Sequence, residues 1–167
     1  MNKSEIQTLF DYNYWANGRL LQTASSLSDG LFQAPYNLSH GSLRGALVHI
    51  LGAEIVWRRR CQEGISMSAL PTEQEFPTLA FLQQRWNEEE QLMRAFLSSL
   101  TDQALSSTLK YSTTKGELQQ NPLWQLLVHV VNHGTQFRSE AAVAETDYGH
   151  SPGNLDFIYY LRQSTGR

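Results

Sequence analysis

Apolar residues recur at three- and four-residue steps along four long stretches of the chain, which is the spacing of one face of an α-helix. The third stretch shows the pattern most clearly, because only Glu89 interrupts its apolar seam. The seam consists of Leu79, Leu82, Trp86, Met93, Phe96 and Leu100. Four amphipathic helices are therefore predicted, each with one face turned toward a shared core.

Signals at the ends of these stretches predict where the helices begin and end. Ser4 with Gln7 matches a capping box, and Asn121 before Pro122 is a favourable start for the last long helix. The predicted helices cover residues 4–27, 42–57, a stretch that begins after Pro77, 122–145 and a short C-terminal segment, 155–162. Residues 109–119 predict either a small extended excursion or a hairpin around Lys115-Gly116.

Four long helices without a convincing sheet predict an all-α fold. The simplest arrangement is an antiparallel four-helix bundle followed by the short C-terminal helix. The chain has 167 residues, the size of one ordinary domain. Residues 1–167 are therefore predicted to fold as a single domain.

Composition narrows the classes of protein to which the chain belongs. Hydrophobic residues make up 41% of the chain and charged residues 17%, so a disordered protein is excluded. No apolar run approaches the roughly 20 residues that span a bilayer, which predicts a soluble protein without a membrane partner. The N-terminus has no apolar signal core and Cys61 is the single cysteine, so a reducing cytoplasm is the expected location.

The charge balance argues against nucleic acid as a partner, since a net charge of −3 provides no basic surface for phosphate. Arg58, Arg59 and Arg60 form the one basic run, and adjacent residues spread around a helix. These arginines are predicted to be a solvated helix end. Cys61 beside them is predicted to be a passive thiol.

Two histidines at positions i and i+4 are the feature with the most chemical content. His129 and His133 lie in an otherwise apolar run, so their rings share one face of a helix. Two ligands rarely hold a metal firmly, and His49, on the apolar face of the second helix, is the best third candidate. His40 and His150 are expected to lie in loops. The sequence predicts a divalent metal site at His49, His129 and His133, with hydrogen-bonded core histidines as the alternative.

Several polar residues are candidates for the surroundings of this site. Glu140 returns to nearly the same helical face as His133 after two turns. It is expected to act as a fourth ligand, to hold a ligand histidine by its second nitrogen or, in the alternative, to pair with Arg138 or lie in solvent. Asn13 and Asn17 lie on or beside the inward stripe of the first helix, so their amides either hydrogen-bond within the core or face a polar cavity.

Three segments of the chain match, in order, the helices of a known family. They are residues 12–21, YNYWANGRLL, residues 49–57, HILGAEIVW, and residues 129–138, HVVNHGTQFR. Over almost its whole length the chain resembles the DinB family of DinB/YfiT-like metalloenzymes. The resemblance implies a four-helix bundle with an up-down-down-up path, a homodimer, and zinc or nickel held by three histidines near one end.

One position departs from the family pattern. The last helix of the family commonly carries a second histidine four residues after the first, and this sequence has Phe137 there. A phenylalanine ring offers no lone pair to a metal. The resemblance therefore implies that His49 and His133 are ligands, and the third ligand that is usual in the family is missing.

Three arrangements of the site stay open. In the first, His129 completes the triad, with Glu140 or Glu54 supporting a ligand. In the second, water and Gln136 or Glu140 complete a weaker site. In the third, Phe137 fills the pocket, the metal is lost and the histidines are hydrogen-bonded core residues.

The same resemblance implies thiol-dependent chemistry. Relatives of known activity look like enzymes that join a low-molecular-weight thiol to a small electrophile, or that isomerise a substrate with such a thiol as cofactor. A metal that lowers the pKa of a bound thiol or water supplies the nucleophile, which implies an S-transferase or a related hydrolase. Asn13, Asn17 and Arg138 are then expected to line the pocket. The competing hypothesis, which Phe137 favours, is a non-catalytic, stress-associated helical dimer with a degenerate or structural metal site.

Overall fold

The computed structural model describes residues 1–164, and most of these residues are helical. The α-helices are α1 (Lys3–Ala24), α2 (Asp29–Gln33), α3 (Leu43–Arg58), α4 (Leu79–Ser99), α5 (Asp102–Ser106), α6 (Leu123–Asp147) and α7 (Phe157–Ser164). A π-helical turn, Arg59–Glu63, continues α3, and a 3-10 turn, Glu73–Glu75, precedes α4. The strands are β1 (Thr108–Ser112) and β2 (Leu118–Pro122). Within the described residues, no helix combines the length and the apolar character needed to cross a lipid bilayer.

The four long helices bury their apolar faces against one another, with contacts between α3 and α6, α1 and α6, α3 and α4, and α1 and α4. Two clusters of buried side chains fill the space between them. The first includes Leu47, Leu51 and Trp86, and the second includes Ile6 and Leu127. The prediction of a mostly helical fold built on four long helices is confirmed, and the up-down-down-up path stays a prediction.

A short β-hairpin between α5 and α6 corrects the all-α fold class. The two strands pair antiparallel, with Thr108 opposite Pro122 and Ser112 opposite Leu118. Gly116 in the connecting turn has a φ of 82°, a conformation that glycine adopts without steric cost. The hairpin predicted around this glycine is therefore present, and it borders a cavity between α3 and α6.

The start of α1 is defined by Asn2 rather than by Ser4. Asn2 Oδ1 accepts a hydrogen bond from the Glu5 backbone nitrogen, and the Glu5 carboxylate accepts one from the Asn2 backbone nitrogen. The pattern of Asn2 with Glu5 overlaps the predicted pattern of Ser4 with Gln7. The negative carboxylate of Glu5 is a stronger partner at a helix N-terminus than the neutral amide of Gln7. The helix ends at Ala24, three residues before its predicted end at Leu27.

The start of α6 is set by strand pairing rather than by a side-chain cap. Asn121 belongs to β2, and its side chain accepts a hydrogen bond from the Tyr111 hydroxyl. Pro122 ends the strand, and the helix begins at Leu123. The predicted cap at Asn121 is therefore wrong, because pairing with β1 takes this residue out of the capping role.

Two of the three consecutive arginines are buried, which corrects the prediction of a solvated helix end. Arg58 Nε donates to Glu89 Oε1 at 2.5 Å, and this buried ion pair explains how a glutamate interrupts the apolar face of α4. The guanidinium of Arg60 lies over Trp57, 4.7 Å from the ring centroid. Beside them, burial raises the pKa of the Cys61 thiol to about 12, in agreement with a passive cysteine.

Gly45 near the start of α3 has no room for a side chain. Ser42 caps this helix, at its predicted start, by accepting a hydrogen bond from the Gly45 nitrogen. A β-carbon on Gly45 would collide with the backbone carbonyl oxygen of His40 and lie 2.7 Å from Glu73 Oε1. We expect Gly45→Ala to lower the free energy of unfolding, measured in urea, by about 2 kcal/mol, a typical cost of overpacking. Gly18→Ala is the matched control, because nothing lies within 4 Å of its added carbon, and an equal loss in both variants would contradict the prediction.

Candidate metal centre

A cavity of about 270 Å³ opens between α3, α6 and the hairpin, and three histidines line it. One histidine comes from α3 and two come from α6. Along α3, Ala53 lies four residues after His49, and Val56 and Trp57 lie three and four residues after Ala53, so these residues share one face of that helix. The lining consists of His49, Ala53, Val56, Trp57, Arg60, Leu70, Tyr111, Thr113, Thr114, His129 and His133.

His49 and His133 form the closest histidine pair in this cavity, with their Nε2 atoms 3.1 Å apart. Burial and then the neighbouring histidines lower the pKa of each ring to about 4, so both are neutral at pH 7. Two neutral imidazoles at this distance share a hydrogen bond, in which one Nε2–H donates to the other Nε2. Two nitrogens that bind one cation at about 2.0–2.1 Å lie no more than about 4.2 Å apart, so the spacing also suits two ligands of one metal.

The second ring nitrogen of His133 is not supported. Its Nδ1 atom is buried and has no hydrogen-bond partner among residues 1–164. Histidines that bind a metal usually donate this nitrogen to a carboxylate or a carbonyl, which orients the ring. A metal bound by His133 Nε2 would therefore lack this orienting contact among residues 1–164.

His129 lies beside the pair but packs on a different partner. Its ring centroid is 5.8 Å from that of His133 and 5.0 Å from that of Trp57, in an edge-to-face contact. Desolvation of the ring and the positive charge of Arg60 lower the pKa of His129. Within residues 1–164, no three histidine, cysteine, aspartate or glutamate side chains are grouped so as to hold a metal ion. The triad of His49, His129 and His133 therefore stays a prediction.

Phe137 and His40 enclose the histidine pair. The centroid of the Phe137 ring lies 4.4 Å from that of His49, 4.6 Å from that of His133 and 5.1 Å from that of His40. His40 lies in a loop, as the sequence predicted, and it stacks on His49 with ring centroids 3.7 Å apart. The loop turns at Gly41, whose φ of 74° is a conformation that glycine adopts without steric cost.

Glu140 holds the loop that carries His40. Its carboxylate accepts hydrogen bonds from the Ser39 backbone nitrogen at 3.0 Å and from the Ser39 hydroxyl at 2.7 Å. Burial lowers the pKa of His40, and the negative charge of Glu140 opposes this shift. Gln136 is exposed, and neither Glu140 nor Gln136 lines the cavity. Their predicted roles as ligands stay predictions.

Asn13, Asn17, Glu54 and Arg138 form a buried network across α1, α3 and α6. Arg138 Nη1 donates to Asn13 Oδ1 at 2.5 Å and to Asn17 Oδ1 at 2.9 Å. The two amide nitrogens donate to Glu54 Oε1 at 2.7 and 2.9 Å, and Trp86 Nε1 donates to Glu54 Oε2 at 3.2 Å. None of these residues lines the cavity. The asparagines therefore take the first of their two predicted roles, hydrogen bonding within the core.

Four polar residues of the cavity lie outside the predicted site: Arg60, Tyr111, Thr113 and Thr114. The sequence does contain a signal that places Arg60 near the histidines, because this residue lies roughly three turns after His49 on the same helical face. No local signal exists for the hairpin residues, since they reach the cavity only through the way in which the hairpin packs on the helices.

The fold and the cavity together define a mostly helical protein with a histidine pair beside a small cavity. The sequence pattern of the DinB family matches residues 1–166, and the chain belongs to this family. It is similar to Protein DinB of Bacillus subtilis (strain 168), with 20% identity over 157 residues that cover 92% of this chain and 91% of that protein. The family predicted from three helical segments is thereby confirmed.

Proposed function

We propose that the protein is a divalent-metal-dependent enzyme that joins a low-molecular-weight thiol to a small electrophile, or that catalyses a related hydrolysis. The observation that carries the proposal is the neutral pair His49 and His133, with Nε2 atoms 3.1 Å apart beside a cavity. Membership of the DinB family supports the same function. Zinc and nickel are the proposed metals, since imidazole suits both.

His49 and His133 are the residues that would hold the metal. A bound divalent cation lowers the pKa of a thiol or water ligand and so supplies a nucleophile at neutral pH. In S-transfer, the thiolate sulfur forms a bond to the electrophilic carbon, whose leaving group departs with the bonding electrons. The thiol proton passes to solvent or, in the site where His129 is not itself a ligand, to this neutral ring in the cavity wall. Phe137 packs on both histidines.

Removal of either histidine of the pair is expected to abolish metal retention. His49→Ala and His133→Ala should each lose about 100-fold or more in affinity for zinc or nickel, because even supporting partners of a ligand contribute about 10- to 100-fold. Mass spectrometry of untagged protein measures metal content, and titration of the stripped protein measures affinity. His150→Ala is the matched control, because His150 is exposed and lies outside the cavity lining. Equal metal content in wild type and both cavity variants, with circular dichroism showing folded protein, would overturn the site.

His129→Ala separates the two proposed ligand sets. Loss of metal in this variant would support the triad of His49, His129 and His133. Retention of metal would support the weaker site, in which His49 and His133 bind together with water and Gln136 or Glu140.

A non-catalytic, stress-associated homodimer is the second candidate function, and Phe137 favours it. The ring stands where the family pattern has a histidine, and its centroid lies within 4.6 Å of those of both His49 and His133. The discriminating assay conjugates several low-molecular-weight thiols to a general electrophile with metal-loaded protein. Conjugation that disappears in His133→Ala supports the enzyme, and no turnover at full metal loading supports the second candidate.

A further inference from the structure

Arg60 is a buried cation in the cavity wall without a carboxylate beside it in the lining. The residue is 5% exposed, and none of the other lining residues is acidic. Its Nε and Nη2 atoms are buried and have no hydrogen-bond partner among residues 1–164. The two preceding arginines differ, since Arg58 and Arg59 both form ion pairs with Glu63. Arg60 therefore retains hydrogen-bonding capacity that the described chain does not use.

Two aromatic rings hold this guanidinium in place. Its central carbon lies 4.7 Å from the centroid of Trp57 and 5.7 Å from that of Tyr111. Such contacts stabilise a cation, but they provide no oxygen acceptor for its N–H groups. Buried donors that stay unpaired cost free energy, so an acceptor that enters the cavity gains by pairing with them.

We propose that Arg60 binds the oxyanion of a small anionic ligand, a carboxylate or a phosphate. Nε and Nη2 lie on one edge of the guanidinium, and this edge forms two parallel N–H···O bonds with an oxyanion. Because both atoms are shielded from solvent, the guanidinium has to turn this edge toward the entering oxyanion. The hydroxyl groups of Thr113 and Thr114, which also line the cavity, provide further donors to the same group.

This inference deepens the proposed function and rests on it for the assignment of the anion to a substrate. The histidine pair and Arg60 line the same cavity, which has room for a small molecule that spans both. A thiol or an electrophile that carries an anionic group is then the substrate class. The oxyanion subsite itself needs no metal, so it is testable in metal-stripped protein.

The test is isothermal titration calorimetry of metal-stripped protein with benzoate and with benzamide, which have the same shape and differ in charge. Benzoate is expected to bind about 10- to 100-fold more tightly than benzamide, the range for hydrogen bonds to a charged group. Arg60→Met should remove this preference, since methionine keeps an apolar chain on Trp57 and loses the charge. Arg59→Met is the matched control, because Arg59 lies outside the cavity lining and should keep the preference. Equal affinities for the two probes in wild type, or an unchanged preference in Arg60→Met, would overturn the proposal.

Two further measurements complete the test. Inorganic phosphate that displaces benzoate identifies a subsite for oxyanions in general, and failure to displace it identifies one for carboxylates. If Arg60→Met does not fold, ¹⁵N spectra of wild type replace the variant. Benzoate should then shift an arginine Nε–H signal, assigned with Arg60→Lys, that benzamide leaves in place, and the absence of such a shift would overturn the proposal.

The outcomes for the subsite and for the metal site are distinguishable. If the protein prefers benzoate but binds no metal, the oxyanion subsite at Arg60 is supported and the proposed metal-dependent enzyme is contradicted. If metal retention depends on His49 and His133 but the protein shows no preference for benzoate, the metal site is supported and the oxyanion subsite is contradicted.

Discussion

Arg138→Met is expected to lower the free energy of unfolding by about 3 kcal/mol, because each buried polar group that is left without its hydrogen-bond partner costs about 1–3 kcal/mol. Arg138 is 1% exposed, and its hydrogen bonds to Asn13 and Asn17 connect it to the Glu54 carboxylate. Without the guanidinium, the amide oxygens lose their donor and Glu54 loses the positive charge that favours its ionised form. Urea denaturation followed by circular dichroism measures the change.

The size of this loss is expected to depend on pH through Glu54. Burial raises the pKa of Glu54 from 4.5 to about 7, although the two asparagine hydrogen bonds and the charge of Arg138 lower it. Because the folded-state pKa is the higher one, the contribution of this carboxyl to stability is fully present below about pH 4.5 and is lost as the pH rises through about 7. Arg138→Met raises the pKa further, so its deficit relative to wild type should be larger at pH 8 than at pH 5.

Two variants test this explanation. Arg94→Met is the control for an exposed arginine, since Arg94 is 44% exposed where it pairs with Asp11 and Glu90, and it should cost no more than about 1 kcal/mol. Glu54→Gln in the Arg138→Met background removes the buried charge and should recover part of the loss at pH 8. An equal deficit at both pH values, with no recovery in the double variant, would show that Glu54 is not the cause.

Phe137→His is expected to raise the affinity for zinc or nickel by about 100-fold or more, because a direct ligand contributes more than the 10- to 100-fold of a supporting partner. The ring centroid of Phe137 lies 4.4 Å from that of His49 and 4.6 Å from that of His133. An imidazole in this place would therefore stand beside both proposed ligands. Competition of the stripped protein against a chelator of known affinity measures the change.

Phe137→Leu is the matched control, since it removes the aromatic ring without adding a nitrogen, and its metal affinity should stay close to that of wild type. An unchanged affinity in Phe137→His would contradict the expectation. His129→Ala in the Phe137→His background then identifies the reason. Loss of metal in the double variant would mean that His129 already completes the site, and absence of binding in every variant would mean that the pocket is closed to metal.

The local sequence pattern was sufficient to predict the long helices and the turn of the hairpin. The four-residue step from Leu82 to Trp86 and the three-residue step from Met93 to Phe96 predict α4, and all four side chains are buried. Lys115 and Gly116 between two extended runs predict the turn between β1 and β2. These elements depend mainly on contacts between residues that are close in sequence, and the periodicity of the sequence therefore reports them.

Prediction from the local sequence pattern failed where a contact with another strand or helix competed with it. Asn121 has the chemistry of a helix cap, but its pairing in β2 takes precedence. Arg58 and Arg60 look like a solvated run, yet Arg58 finds Glu89 on another helix and Arg60 finds the ring of Tyr111 on the hairpin. The deciding partner of Asn121 is the other strand of its own hairpin, whereas the deciding partners of the two arginines lie on elements that are remote in sequence.

The residues of the candidate site likewise fall into those that the sequence predicted and those that only the tertiary structure revealed. Spacing alone assigned His49 and His133 to inward faces of two helices, because helical periodicity determines the face on which a residue lies. Only the tertiary structure brings their Nε2 atoms to within 3.1 Å of each other and stacks His40 on His49. It also places Arg60 in the wall of the same cavity. Periodicity carries no information about which residue of another helix or loop lies opposite, since that depends on how the whole chain packs.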